Sequence, residues 1–276
     1  LKPGSPVLHR SSGKKPKTRN EAGLMNGKVR FPSAAALIEQ IATPVEAYNN
    51  PGSPFVASFL GKTSTLEGEI RDGNLHSEFV VDVIQGGAGT STNMNANEVI
   101  ANRALELLGR RRGEYQIVHP NNHVNLSQST NDVYPTALRL ATYWSLHELI
   151  GAVGDLRDAF LEKASQFGDI VKMGRTQLQD AVPMTLGQEF HAYGITMGEE
   201  VQRLREVAAL MREINMGATA IGTGINTDPR YAETVRRTLS DAAGLELVTS
   251  PDLVEATQDT GAFVLVSGML KRVAVK

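Results

Sequence analysis

Three polar segments hold the residues of this sequence whose types and spacing could do chemistry. The first reads Gly86-Gly87-Ala88-Gly89-Thr90-Ser91-Thr92-Asn93-Met94-Asn95-Ala96-Asn97. The second reads His123-Val124-Asn125-Leu126-Ser127-Gln128-Ser129-Thr130-Asn131-Asp132. The third reads Gly174-Arg175-Thr176-Gln177-Leu178-Gln179-Asp180-Ala181-Val182-Pro183-Met184. Each places hydroxyls and amides ahead of a stretch with helical spacing. Helix N-termini offer free backbone N–H groups and a dipole that favours anions, and hydroxyls and amides beside them can fix carboxylate oxygens. Taken singly, each segment is most simply a set of helix caps, the commonest use of Ser, Thr, Asn and Asp in that place. Asn93, Asn95 and Asn97 admit the same reading. Three such segments in one chain point to a shared polar site.

Other chemistries find little support. Gly217-Ala218-Thr219-Ala220-Ile221-Gly222-Thr223-Gly224 is glycine-rich but lacks the Lys-Ser/Thr of a phosphate-binding loop. No Gly-x-Ser-x-Gly elbow is present. The six histidines include no helical pair with an intervening glutamate, so no metal site is expected. His119 and His123 stand four apart, but the prolines and asparagines around them read as a solvated loop.

The elements that must position these segments are mostly helices. A helix is expected over residues 95–108, stopped by Gly109. Leu138, Ala141, Trp144, Leu149, Val153, Leu156 and Phe160 form an apolar stripe at three- and four-residue spacing. A second stripe runs Leu186, Phe190, Tyr193, Met197, Val201, Leu204, Ala208, Met211 and Ile214, with Pro183 placed where a helix can begin. A helix of some thirty residues is roughly 45 Å long and belongs in an elongated bundle. A third helical stretch is expected from about residue 252 to the end. Residues 78–85 form an apolar run that suits a buried strand or a helix end. Strand signals are otherwise sparse, so the fold class is mainly α.

The chain of 276 residues, 41% hydrophobic, can bury one large core or two smaller ones. A formal net charge of −2 provides no field for nucleic acid or anionic lipid. The absence of cysteine excludes disulfides and thiolate metal sites and fits a reducing compartment, here the cytoplasm. No run of about 18 apolar residues suggests a membrane span, and no apolar signal-peptide core follows the basic start. Residues 1–20 are basic and rich in Ser, Pro and Gly, as in a disordered tail; a nucleic-acid arm is the sharper alternative. Residues 21–125 are taken as an N-terminal domain and 126–276 as a helical-bundle domain.

In order and in length, the three segments resemble the active-site regions of the aspartase/fumarase superfamily, and the resemblance covers roughly residues 69–276. Within that superfamily the sequence is similar to aspartate ammonia-lyases. Fumarases usually carry Gly-Arg-Thr-His and Ser-Ser-Asn where this chain has Gly174-Arg175-Thr176-Gln177 and Ser129-Thr130-Asn131. Gln177 cannot titrate near neutrality, unlike the histidine it replaces, which argues against water-activating chemistry. The resemblance implies a mainly α, elongated bundle and a tetramer whose active sites are each built from three chains. It implies reversible elimination of ammonia from L-aspartate to give fumarate through an aci-carboxylate, without a cofactor or a metal. Thr90, Ser129 and Thr130 would hold the β-carboxylate. Asn131, with Gln177 and Thr130 near it, would face the amino group, and Thr176 would bind the α-carboxylate.

Two departures stand out. The superfamily's serine base lies in a Gly-Ser-Ser-x-Met-Pro-x-Lys-x-Asn loop, which this sequence does not contain before Lys276. Residues 21–68 show none of the opening motifs usual in the superfamily. The chain by itself is therefore expected to be inactive and the helical bundle incomplete. A fumarate hydratase, and a non-catalytic lyase-like subunit that assembles with or regulates complete ones, are the competing readings.

Overall fold

The computed structural model describes residues 74–276 except 83, 85, 86 and 226. The basic tail, the segment over 21–68 and Gly86 of the first polar segment lie outside the described residues.

Helix α1, Thr90–Leu107, begins five residues earlier than its apolar spacing predicts. Its first two turns turn Asn93 and Asn97 inward rather than hydrophobic side chains, so no stripe marks them. Gly89 precedes it with φ 85°, and Gly109 follows it with φ 72°. Ile100, Ala101, Ala104 and Leu105 of α1 pack on Val118 and Val124. The segment around the latter is a tight π-helical turn, Pro120–Val124, in which Asn121, Asn122 and His123 stay exposed.

Helix α2, Thr130–Gln166, has 37 residues and is about 55 Å long. A capping box starts it: the Ser129 hydroxyl and the Asp132 carboxylate each accept from the other's end of the first turn. Pro135 lies inside the helix and cannot donate to Asn131 O. That carbonyl is satisfied instead by Asn215 Nδ2 at 3.0 Å.

A β-hairpin reverses the chain: β1, Val171–Thr176, pairs antiparallel with β2, Gln179–Thr185. Helix α3, Leu186–Leu210, then returns along α2, its 25 residues giving roughly 37 Å. Pro183 is a strand residue, and α3 is started by a Thr185/Gln188 capping box. Gly187 of α3 meets Ala164 O of α2, and Gly194 meets the Leu161 side chain. Arg139, near the other end of α2, donates to Leu210 O at 3.1 Å. These pairings fix the two helices antiparallel. The Arg139 guanidinium satisfies an orphan carbonyl at the end of α3 and lies over the Phe263 ring.

Beyond α3, a two-residue strand β3, Glu213–Ile214, pairs parallel with β4, Val248–Thr249. Between them lie the glycine-rich turn and α4, Tyr231–Ala243. The helical stretch expected from residue 252 is two helices, α5, Leu253–Gln258, and α6, Gly261–Ala274. The break falls where Asp259 Oδ2 accepts from Gly261 N at 3.0 Å, a local bond that competes with helix propagation.

The main core joins Leu146, Ile150 and Val153 of α2 to Met197, Val201 and Leu204 of α3 and Val266 and Met269 of α6. A second cluster gathers Leu140 and Trp144 of α2, Ile214 and Met216, and Val235 and Leu239 of α4. The predicted stripes are only partly buried. Leu138, Leu156 and Tyr193 stay exposed, because the partner of each long helix changes along its length. Phe79, Val80 and Ile84 of the expected strand are also exposed, beside a short 3-10 turn at His76–Glu78. The described chain is mainly α, as expected, and none of its described helices is long and apolar enough to cross a membrane.

Candidate functional site

The first two polar segments meet at the N-termini of α1 and α2. Gly87, Ala88 and Gly89 all adopt positive φ, and Gly89 lies so close to Tyr134 that a Cβ there would overlap the ring. The loop is thus seated on the first turns of α2. Thr90, exposed, directs its hydroxyl proton to Gly87 O at 2.8 Å, leaving its lone pairs outward.

Three consecutive residues at the start of α2 carry opposite polarities. Ser129 Oγ accepts from Asn131 N at 3.2 Å. Thr130 Oγ1 accepts from Asn93 Nδ2 at 2.9 Å. Both hydroxyls therefore keep a proton to donate. Asn131 is the reverse: its Nδ2 donates to Ala220 O at 2.7 Å, which leaves Oδ1 as an acceptor. The cluster presents two hydroxyl donors beside one amide acceptor, a pattern suited to a carboxylate next to an ammonium.

Asp132 lies beneath them and is fully buried. Its Oδ1 accepts from Ser129 N at 2.9 Å and its Oδ2 from Thr219 N at 2.8 Å. Burial pushes this carboxyl up to about 6, against the pull of backbone N–H groups of Ser129, Thr219, Gly217 and Val133. With both oxygens occupied, Asp132 positions the site rather than exchanging protons with a ligand. Burial, with the Asp132 charge nearby, also raises the Tyr231 phenol, whose hydroxyl has no hydrogen-bond partner among the described residues.

The glycine-rich turn over 217–224 is a part of the site that the sequence did not reveal. Gly217, Thr219, Gly222 and Gly224 have positive φ, and a Cβ on Gly222 would overlap the backbone of α5. Through Thr219 N and Ala220 O this turn holds both Asp132 and Asn131. Glycine density was the available signal, but it resembled a phosphate loop, and that comparison alone could only reject it.

The third segment lies elsewhere. Thr176 and Gln177 are exposed at the tip of the β1–β2 hairpin, not at a helix N-terminus. Gln177 and Leu178 form a two-residue turn with φ 48° and 64°, a left-handed pair that fits the twist of a hairpin. Arg175 and Asp180 pair across it at 3.3 Å. The hairpin follows the far end of α2, so the length of that helix, about 55 Å, lies between Thr130 and the residue where the chain turns toward the hairpin. The fold brings Thr90, Ser129, Thr130 and Asn131 together and leaves Thr176 and Gln177 remote.

Among the described residues, no group of three His, Cys, Asp or Glu side chains could hold a metal ion. His119 Nδ1 accepts from Asn121 N and Asn122 N, and His123 Nδ1 accepts from His119 N at 2.8 Å. These imidazoles stabilise the π-helical turn.

A family model described as Lyase matches residues 59–276, which include all six expected site residues. The chain is 60% identical over 205 residues to an aspartate ammonia-lyase of Pseudomonas fluorescens, covering 74% of this chain and 43% of that protein. It is 56% identical over 207 residues to the aspartate ammonia-lyase of Escherichia coli K12, covering 75% and 43% respectively. It therefore spans less than half the length of these curated relatives. Among solved structures, a cobalt-bound fumarate lyase:delta crystallin from Brucella melitensis matches with a TM-score of 0.79 and 49% identity, covering 94% of this chain and 58% of that one.

Proposed function

Because this chain belongs to the lyase family, we propose that it is part of an enzyme that eliminates ammonia from L-aspartate to give fumarate. The observation that carries this reading is its 56–60% identity to aspartate ammonia-lyases. The polarity of residues 129–131 supports it. A Cβ proton is removed, the Cα–N electron pair leaves with neutral ammonia, and a double bond forms. Negative charge accumulates on the β-carboxylate as an aci-carboxylate, and aligned donors stabilise it most in the transition state.

Ser129 and Thr130 are the donors to that carboxylate, and Thr90 joins them by exchanging its bond to Gly87. Asn131 Oδ1 accepts from the ammonium. Thr176 binds the α-carboxylate and Gln177 lies beside the amino group. Since the length of α2, about 55 Å, lies between Thr130 and the start of the hairpin that carries those two, a second copy of the chain supplies them. This is consistent with a homotetramer acting in the cytoplasm. No Gly-Ser-Ser-x-Met-Pro-x-Lys-x-Asn loop occurs among these 276 residues, so none of them is assigned as the proton acceptor.

The test compares L-aspartate with malate, using the ultraviolet absorbance of fumarate and the protein expressed from its complete reading frame. Fumarate from aspartate alone is expected. Fumarate from malate alone would make the protein a hydratase. No turnover of either, with co-purifying complete lyase subunits, would make it an assembly subunit. The 276-residue chain by itself is expected to be inactive, and robust turnover by it would show that its residues include a base.

A further inference from the structure

We propose that Asn93 is a positioning residue that keeps the Thr130 hydroxyl a donor to the substrate carboxylate, an inference that rests on the function proposed above. The direction of every bond in this cluster follows from one backbone carbonyl. Asn125 Nδ2 donates to Gln128 O at 3.2 Å, and a carbonyl can only accept. That bond fixes the Asn125 amide, so its Oδ1 faces the other way. Asn125 Oδ1 then accepts from Asn97 Nδ2 at 3.1 Å and from Asn93 Nδ2 at 3.2 Å. The Asn93 amide is thereby fixed in turn, with its nitrogen toward α2. Its second N–H can only donate, and it reaches Thr130 Oγ1 at 2.9 Å.

Thr130 therefore accepts on its inner side. A hydroxyl has one proton, and no acceptor among the described residues takes it. It remains for a ligand at the mouth of the cluster. Asn93 and Asn97 are 7% and 4% exposed, so water does not compete to reorient their amides. The cluster joins two helices, but a tie between helices alone would be served by either bond direction. The direction present is the one that keeps a hydroxyl proton aimed at a developing carboxylate charge.

A positioning role and a merely structural one differ in a double-mutant cycle. The measurement is turnover of L-aspartate by the protein from its complete reading frame, with thermal midpoints recorded for every variant. Asn93→Ala should lower kcat about tenfold or more while changing KM much less, because the lost donor matters most as charge develops. In a Thr130→Val background, the same substitution should change kcat by less than about twofold, since its target is gone. Asn93→Asp preserves shape if the alanine variant folds poorly. Its carboxylate would draw the Thr130 proton inward, so kcat should fall further in the parent than in the Thr130→Val background, where only its charge acts. Equal losses in both backgrounds, or parental kcat in the Asn93 variants, would overturn the positioning role while leaving the lyase reading intact. A parent protein without aspartate turnover would overturn both.

Discussion

Replacing Asp132 by Ala should destabilise the chain more at acid pH than at neutral pH. The carboxylate is buried, and it accepts from Ser129 N and Thr219 N at 2.9 and 2.8 Å. Removing it orphans two N–H groups at about 1–3 kcal/mol each, partly offset because a buried charge disappears. A net loss of about 2 kcal/mol is expected near pH 7.5. The pH dependence follows from the carboxyl's value of about 6 in the fold against 3.8 for the ordinary group. The folded chain holds this proton more tightly, so the stability it contributes is complete below 3.8 and is lost as pH rises through 6. The whole window is worth about 3 kcal/mol at 1.36 kcal/mol per unit. Integration between about pH 7.5 and about pH 5 gives the parent on the order of 1 kcal/mol that the variant lacks. Urea unfolding followed by circular dichroism at both pH values measures the gap, and ionisations common to both proteins cancel in the difference. The gap should widen by about that amount at the lower pH. A constant gap, or one that widens toward neutrality, would refute the reasoning, because it would mean that the backbone donors outweigh burial.

Arg272 donates to both carboxylate oxygens of Glu200, at 2.9–3.0 Å, and Glu200 is fully buried. Arg272 itself is 44% exposed, so Arg272→Met should lower the urea midpoint only because it strands the buried Glu200 carboxylate, with partial recovery in the Glu200→Gln double variant; an unchanged midpoint would contradict the account. Gly89→Ala should lower the thermal midpoint well beyond Gly109→Ala. Both glycines have positive φ, but only Gly89 has the Tyr134 ring against it, so equal shifts would show that the loop is not seated on α2. Leu178 is 99% exposed at φ 64°, so Leu178→Asn should stabilise the hairpin by about 0.5–1 kcal/mol in thermal unfolding. A lower midpoint would show that Leu178 makes a contact in solution.

The two long helices were legible because their stripes are long, although exposed Leu138 and Leu156 show that a stripe marks a face without saying that it is covered. The start of α1 was not legible, since its inward residues are Asn93 and Asn97. Burial of an amide is decided by partners such as Asn125, which lies 28 residues further on from Asn97. The hairpin was hidden for three reasons. Pro183 reads as a helix start, Gly174 as a loop, and Gln177-Leu178 lacks the Asn-Gly signal of a tight turn. A two-stranded sheet consists only of edges, where proline costs no interior ladder bond.

The six expected site residues show the limit most sharply. Thr130 and Gln177 are 47 positions apart in the sequence, with α2 occupying most of that interval. A flexible chain could fold such an interval back on itself, but a continuous helix of about 55 Å cannot. For these residues to hold one small dicarboxylate, chains must associate with the hairpin of one near the α1–α2 end of another. The open sides of α2 and α6, with Leu138, Leu156, Val264 and Leu265 exposed, leave apolar surface for such association. The length of α2 therefore turns a question about residue identity into one about assembly. Ser129, Thr130 and Asn131 set the polarity of one half of the proposed site within a single chain, whereas the proposed contribution of Thr176 and Gln177 requires a neighbour.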